Sequence, residues 1–122
     1  MSYVYFIKPV GMDGPIKIGC SWNPAVRLRN NGYWVPFKLE VAAMIPGGKE
    51  LEGRFHRRFF GSRSHYEWFD WSPDLGRIID EINSGDFNDA ELPAYIGAAH
   101  IIARGGKKIA DALADVERER AA

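Results

Sequence analysis

Two groups of residues in this 122-residue chain carry side chains suited to phosphate-ester chemistry. Tyr5, Lys17 and Arg27 offer a phenol and two cations within the opening thirty residues, and Glu52 and His56 offer a carboxylate and an imidazole four residues apart. Hydrolysing a phosphodiester requires an activated water, a positive neighbour for the charge building on phosphorus, and something to neutralise the departing alkoxide. Glu52 can supply one leg of a Mg²⁺ site, because that ion commonly takes only one or two carboxylates and fills its shell with water and phosphate oxygens. Mn²⁺ is the natural substitute. Arg27 presents a planar fork for a phosphate. His56 can share the metal or accept a proton, although a lone histidine more often makes a structural hydrogen bond. Zinc is excluded by the spacing of His56 and His65 and by the lack of further soft ligands.

The elements that must position these groups follow from local pattern. Tyr3 to Ile7 is aromatic and β-branched, Ile16 to Ser21 alternates, and Gly11, Gly14 and Pro15 between them supply hairpin turn chemistry. Asn23 before Pro24 starts a helix that Asn30-Asn31-Gly32 ends. The hairpin and helix together deliver Tyr5, Lys17 and Arg27 into one neighbourhood. Leu39 to Ile45 reads as a third strand, closed by Pro46-Gly47-Gly48. From Lys49 to Phe60 the apolar stripe Leu51, Phe55, Phe59 predicts a helix, with Glu52 and His56 on the adjacent face, looking into a cleft. Gly61 to Ser64 reads as a loop and His65 to Asp70 as a short strand. Ser72-Pro73 starts a helix through Leu75, Ile78, Ile79 and Ile82, which Gly85 stops.

Beyond Gly85 an acidic connector (Asp86, Asp89, Glu91) leads to a helix expected over Pro93 to Arg104. Gly105-Gly106 interrupts it, and a last helix from Lys107 carries Ile109, Leu113 and Val116. The expected fold is α/β (α+β): a small central antiparallel sheet of about three strands flanked by helices over residues 1–85, with a helical appendage over 86–122. Helices this short are marginal alone, so Ile101, Ile102, Ile109 and Leu113 are expected to dock on the first unit or on a second copy, giving a homodimer.

Composition narrows the class. The chain is 46% hydrophobic and 26% charged, as in an ordinary globular protein. No apolar run approaches the roughly 18 to 20 residues of a membrane span, and no secretory signal pattern opens the sequence, so a cytoplasmic location is expected. Cys20 is the only cysteine, which rules out an intrachain disulfide. The net charge of zero hides an asymmetry: residues 1–69 hold ten Lys/Arg against five Asp/Glu, and residues 70–122 hold six against eleven. A nucleic-acid partner for the first part is consistent with this.

Tyr3-Val4-Tyr5, then Lys17-Ile18-Gly19, then Arg27 on the following helix resemble the GIY-YIG endonuclease superfamily, whose two short strands carry Gly-Ile-Tyr and Tyr-Ile-Gly ahead of a helix bearing an arginine. Glu52-Gly53-Arg54-Phe55-His56 and Tyr66-Glu67-Trp68-Phe69 resemble the Glu-x-x-apolar-His helix and Glu-Trp-Phe strand of its phage-type branch. The resemblance covers roughly residues 3 to 82. It implies Arg27 as the transition-state arginine, Tyr5 as the first motif tyrosine with its hydroxyl in the site, and a phage or mobile-element setting. Lys17 stands where a tyrosine proposed as general base usually stands. A lysine would take that role only if its pKa fell from about 10.4 toward 7, at a cost of about 4.6 kcal/mol. Lys17 is therefore read as a cation that positions phosphate or water, with Tyr5 or the metal's water nearer the proton transfer. Glu67 either orients Arg27 or Lys17 or braces a strand.

Lys49, Arg54, Arg57, Arg58 and Arg63 form a basic series interleaved with phenylalanines, expected to contact backbone phosphates without reading sequence. Trp34, Trp68 and Trp71 serve either core packing or base stacking. The expectation is a Mg²⁺-dependent endonuclease that hydrolyses DNA phosphodiester bonds. Two alternatives remain: a catalytically inactive nucleic-acid-binding or interaction module on the same fold, and a small phosphate-ester hydrolase.

Overall fold

The aromatic and β-branched runs on either side of Gly11, Gly14 and Pro15 fold as the expected hairpin. In the computed structural model, which describes residues 1–32 and 35–96, strand β1 spans Tyr3–Pro9 and β2 spans Ile16–Ser21. Helix α1 (Pro24–Gly32), strand β3 (Leu39–Pro46) and helix α2 (Lys49–Arg58) follow. Then come a 3₁₀ turn at Phe60–Ser62, strands β4 (Arg63–His65) and β5 (Trp68–Phe69), helix α3 (Pro73–Ser84) and a second 3₁₀ turn at Asp89–Glu91. The helix starts obey the Asn-Pro and Ser-Pro devices. Asn23 Oδ1 accepts from Val26 N at 3.4 Å, Ser72 Oγ accepts from Leu75 N at 3.2 Å, and Gly85 closes α3 in the left-handed region.

The sheet is antiparallel with five strands in the order β3-β1-β2-β5-β4, two more than expected. The additional pair folds out of 63–69, where a loop and a single strand were expected. These strands are three and two residues long, too short to show a period of two, and Tyr66 at φ 51° makes their turn without glycine or asparagine.

Alternation along β1 and β2 sorts the side chains. Val4, Phe6, Ile16 and Ile18 face one way and meet Phe55 and Phe59 of α2 and Leu75 and Ile78 of α3, forming the core. The rings of Phe6 and Phe55 meet edge to face at 5.1 Å. Tyr5, Ile7, Lys17 and Gly19 share the other face, because Tyr5 pairs with Gly19 and Ile7 with Lys17. Helix α1 is tied to that face by a hydrogen bond from Lys17 Nζ to Asn31 Oδ1 at 2.9 Å.

Residues 86–94, beyond the expected boundary at Gly85, are a strap packed on α2. Phe87 stacks on Phe55 at 5.5 Å, and Leu92 is buried in the core. Arg54 donates to the carbonyls of Asp89 and Pro93 at 2.7 and 3.1 Å, Arg58 to that of Glu91 at 3.0 Å, and Arg57 to that of Ala94 at 3.1 Å. Pro93 to Ile96 are not helical, in contrast to the expected helix start at Pro93. The remainder of the two expected C-terminal helices, with Ile101, Ile102, Ile109 and Leu113, lies outside the described residues. Among the described residues no helix is long and apolar enough to cross a membrane.

The strap generates two expectations for stability. Leu92→Ala should lower the unfolding free energy by about 2 to 3 kcal/mol, at the lower end for a buried leucine because a strap can settle into the space. Urea unfolding midpoints check this, and truncation after Gly85 should cost more than the single substitution. Asp74 is held below its ordinary value of 3.8, first by a hydrogen bond from Arg77 and further by Arg58. A depressed carboxyl contributes stability above its unfolded value that is lost as pH falls through the folded one. Stability should therefore decline below about pH 4, and Asp74→Asn should flatten that part of the profile in an acid titration followed by circular dichroism.

Candidate active site

Tyr5 and Gly19 face each other across the β1–β2 pair, and a Cβ built on Gly19 would overlap the Tyr5 ring at Oη and Cζ. A side chain at this position would displace the phenol, which gives the glycine of Lys-Ile-Gly a steric reason. The ring is almost fully buried. Burial above all, and then the carboxylate of Glu67, push the phenol well above its ordinary range; Arg27 opposes this and Glu52 adds to it. Tyr5 is therefore a neutral hydrogen-bonding phenol.

Lys17 sits two residues before Gly19 on the same face, with Trp68 as its cross-strand neighbour. Its ammonium donates to Asn31 Oδ1 at 2.9 Å and lies 4.0 Å from Glu67 Oε2. Burial lowers its pKa from the ordinary 10.5, Glu67 counters that, Arg27 lowers it further and Glu52 raises it. Lys17 thus stands between one hydrogen-bond acceptor, Asn31, and one carboxylate, Glu67. Glu67 stands beside Lys17, and its backbone carbonyl accepts from Ile18 N at 3.0 Å.

Sequence pattern assigns Asn31 only to a helix end, and its part in the site comes from the fold. The signal that could have found it is its spacing, four residues after Arg27 on α1, which puts both on one face of the helix. Its Nδ2 is buried with no hydrogen-bond partner among the described residues. Arg27 itself is exposed, and its guanidinium makes no ion pair or hydrogen bond among the described residues.

From the other side of the sheet, α2 brings Glu52 to the same place. β5 pairs with β2 only at Ile16 and Lys17, which leaves the Ile18 carbonyl for another donor. His56, fully enclosed, donates from Nε2 to that carbonyl at 2.7 Å and sets its ring edge to face with Phe69 at 4.9 Å. Its Nδ1 is buried with no hydrogen-bond partner among the described residues. The Nε2 bond gives His56 a bracing role, and Nε2, the nitrogen beside Glu52, is occupied by the backbone. Glu52 is 4% exposed rather than solvated, its Oε1 lies 3.7 Å from His56 Nε2, and its charge acts on Tyr5, Lys17 and Cys20.

The charges of Arg27, Glu52 and Glu67 thus act on both Tyr5 and Lys17. Among the described residues no group of three or more His, Cys, Asp and Glu side chains could hold a metal. A buried single carboxylate beside cations and a neutral phenol fits Mg²⁺ only where water and phosphate oxygens complete the shell. Cys20 is half-buried, with its thiol pushed up by burial and by Glu52.

The basic series does not join this cluster. Arg54, Arg57 and Arg58 are bonded to the strap, Arg58 also holds Asp74 at 3.1 and 3.2 Å, and Arg63 donates to the Tyr66 carbonyl at 2.6 Å. Trp71 packs against Gly14 and Gly76. Trp34 and His100 lie outside the described residues.

No curated protein and no solved structure matches the chain. The T5orf172 domain family matches residues 2–84, a span that begins just before β1, ends with α3 and contains every side chain of the cluster. A match over more than half of the length places the protein in a family, and this chain belongs to the T5orf172 domain family.

Proposed function

We propose that this protein is a metal-dependent endonuclease that hydrolyses DNA phosphodiester bonds, built on a GIY-YIG-like arrangement with lysine in place of the second tyrosine. The observation that carries the reading is the convergence of four separate elements on one spot: Tyr5 from β1, Lys17 from β2, Arg27 from α1 and a buried Glu52 from α2. A family that is phage-associated and occurs in some nuclease-like proteins supports it.

The roles follow from the environment of each group. The exposed guanidinium of Arg27 grips a phosphate and stabilises its charge in the transition state. Lys17, held by Asn31 and Glu67, adds a second positive charge at a fixed point. Tyr5, kept protonated by burial, donates a hydrogen bond to a phosphate oxygen or orients the attacking water. Glu52 would hold Mg²⁺, or Mn²⁺ in its stead, and the bound ion supplies charge neutralisation at the phosphate and the leaving oxygen and acidifies water. The second reading, a nucleic-acid-binding module without cleavage, is favoured by one observation: Tyr5 is kept protonated by burial and is not prepared as a base.

Plasmid nicking with Mg²⁺, Mn²⁺ and chelator separates the two, since binding without cleavage under any divalent ion would select the module. Glu52→Gln should abolish nicking while the unfolding midpoint stays near wild type; a wild-type rate would remove Glu52 from the metal site. Arg27→Ala should lower the cleavage rate by roughly two to three orders of magnitude, the usual loss for one transition-state donor. A change confined to KM would make it a binding residue instead. The pH profile tests Lys17 as a cation: activity should fall on an alkaline limb lying below 10.5, where the ammonium loses its proton, and Lys17→Arg should move that limb upward.

A further inference from the structure

Among the clefts on the surface of the described residues, two differ in the charge of their linings. One, of about 740 Å³ beside α3, mixes Lys8 and Arg77 with Asp13, Asp80 and Glu81. The other, of about 710 Å³, runs between α1 and the start of β3, and its charged lining residues are Arg29 and Lys38, with no carboxylate. The rest of its wall is apolar, chiefly Leu28, Val35, Phe37 and Leu39. Phe37 keeps 43% of its surface exposed. Both volumes lie in the roughly 300–1,000 Å³ range of ligand sites. Charge decides between them for a polyanion.

Cations left to meet such a polyanion stand on and beside α1, and Lys49 at the start of α2 is a further one. Arg54, Arg57 and Arg58 spend their donors on the strap and on Asp74, whereas Arg27, Arg29 and Lys38 make no ion pair or side-chain hydrogen bond among the described residues. Arg27 serves the candidate active site, and the next two residues of α1, Leu28 and Arg29, line the groove. One helix is therefore the wall shared by both, and a strand whose phosphate reaches Arg27 passes the groove with a neighbouring nucleotide.

We infer that the groove between α1 and β3 binds an unpaired nucleobase of a single-stranded segment of the substrate, with Arg29 and Lys38 holding the phosphates beside it. This rests on the nucleic-acid reading above and adds the strandedness that the reading leaves open. An apolar wall with an exposed phenyl ring needs the π-face of a base, and in a duplex both faces are covered by stacked neighbours. Stacking of this kind accepts any base, so the groove selects strandedness rather than sequence.

The test uses the full chain in chelator, with fluorescence anisotropy of a labelled single-stranded oligodeoxynucleotide of about 16 residues and of the same sequence as a duplex. The single strand should bind more tightly. Phe37→Ala should weaken single-strand binding about fivefold or more. The double variant Arg29→Gln/Lys38→Gln should reduce the slope of log affinity against log salt by about 1.4, which is about 0.7 for each phosphate that the variant leaves without a cation. Should Phe37→Ala fail to fold, the exposed double variant decides alone. Wild-type preference for duplex, or unchanged single-strand affinity and salt slope in the variants, would overturn the groove assignment and leave the nuclease reading standing. A wild-type chain that binds neither oligonucleotide would overturn both.

Discussion

The hydrogen bond from His56 Nε2 to the Ile18 carbonyl, 2.7 Å long and wholly buried, is the contact on which the site depends. β5 leaves β2 after Lys17, so the last part of β2 would carry an orphaned acceptor into an aromatic interior. Leaving such a group unpaired costs about 1–3 kcal/mol, enough to select strongly for one placement of the helix that carries the donor. With His56 pinned, the helical repeat sets Glu52 one turn earlier on the same face. One bond thus completes the sheet edge and brings a carboxylate from the core side of the sheet to Tyr5 and Lys17 on the other.

Much of this arrangement was legible in the residues themselves. The hairpin, the helix starts at Asn23-Pro24 and Ser72-Pro73, the stop at Gly85, and the buried positions of Phe55 and Phe59 are local patterns, and local patterns survive folding. What was hidden depends on residues distant in sequence. The pairing of His56 with Ile18 spans 38 positions, and that of Lys17 with Asn31 spans 14. No periodicity within either segment announces such partners. The β4–β5 hairpin was hidden for the opposite reason, being too short to have a period at all.

The charge asymmetry between the two parts of the chain also has a structural meaning different from the one its composition implies. The basic face of α2 is matched by the chain itself: Arg54, Arg57 and Arg58 meet carbonyls of the strap, while Asp74, Glu81 and Glu91 gather around Arg77. Exposed ion pairs contribute little individually, so the strap is held chiefly by Leu92, Phe87 and the guanidinium bonds to backbone oxygens. Neutralisation on that side leaves an uncompensated positive charge along α1. An arginine count along the sequence cannot make this distinction, because it depends on which carbonyls the fold brings within reach.

The exchange of tyrosine for lysine at position 17 changes what burial does to the site. Enclosure favours the uncharged form of any ionisable group, so it raises the phenol of Tyr5 and lowers the ammonium of Lys17. At Tyr5 the carboxylates reinforce burial and the phenol stays protonated. At Lys17 they oppose it, and Asn31 Oδ1 accepts a hydrogen bond from the side-chain nitrogen. The same two carboxylates, Glu52 and Glu67, therefore disfavour proton loss at both residues. Burial thus moves the two pKa values in opposite directions while both carboxylates act in one, which a tyrosine at position 17 would not experience.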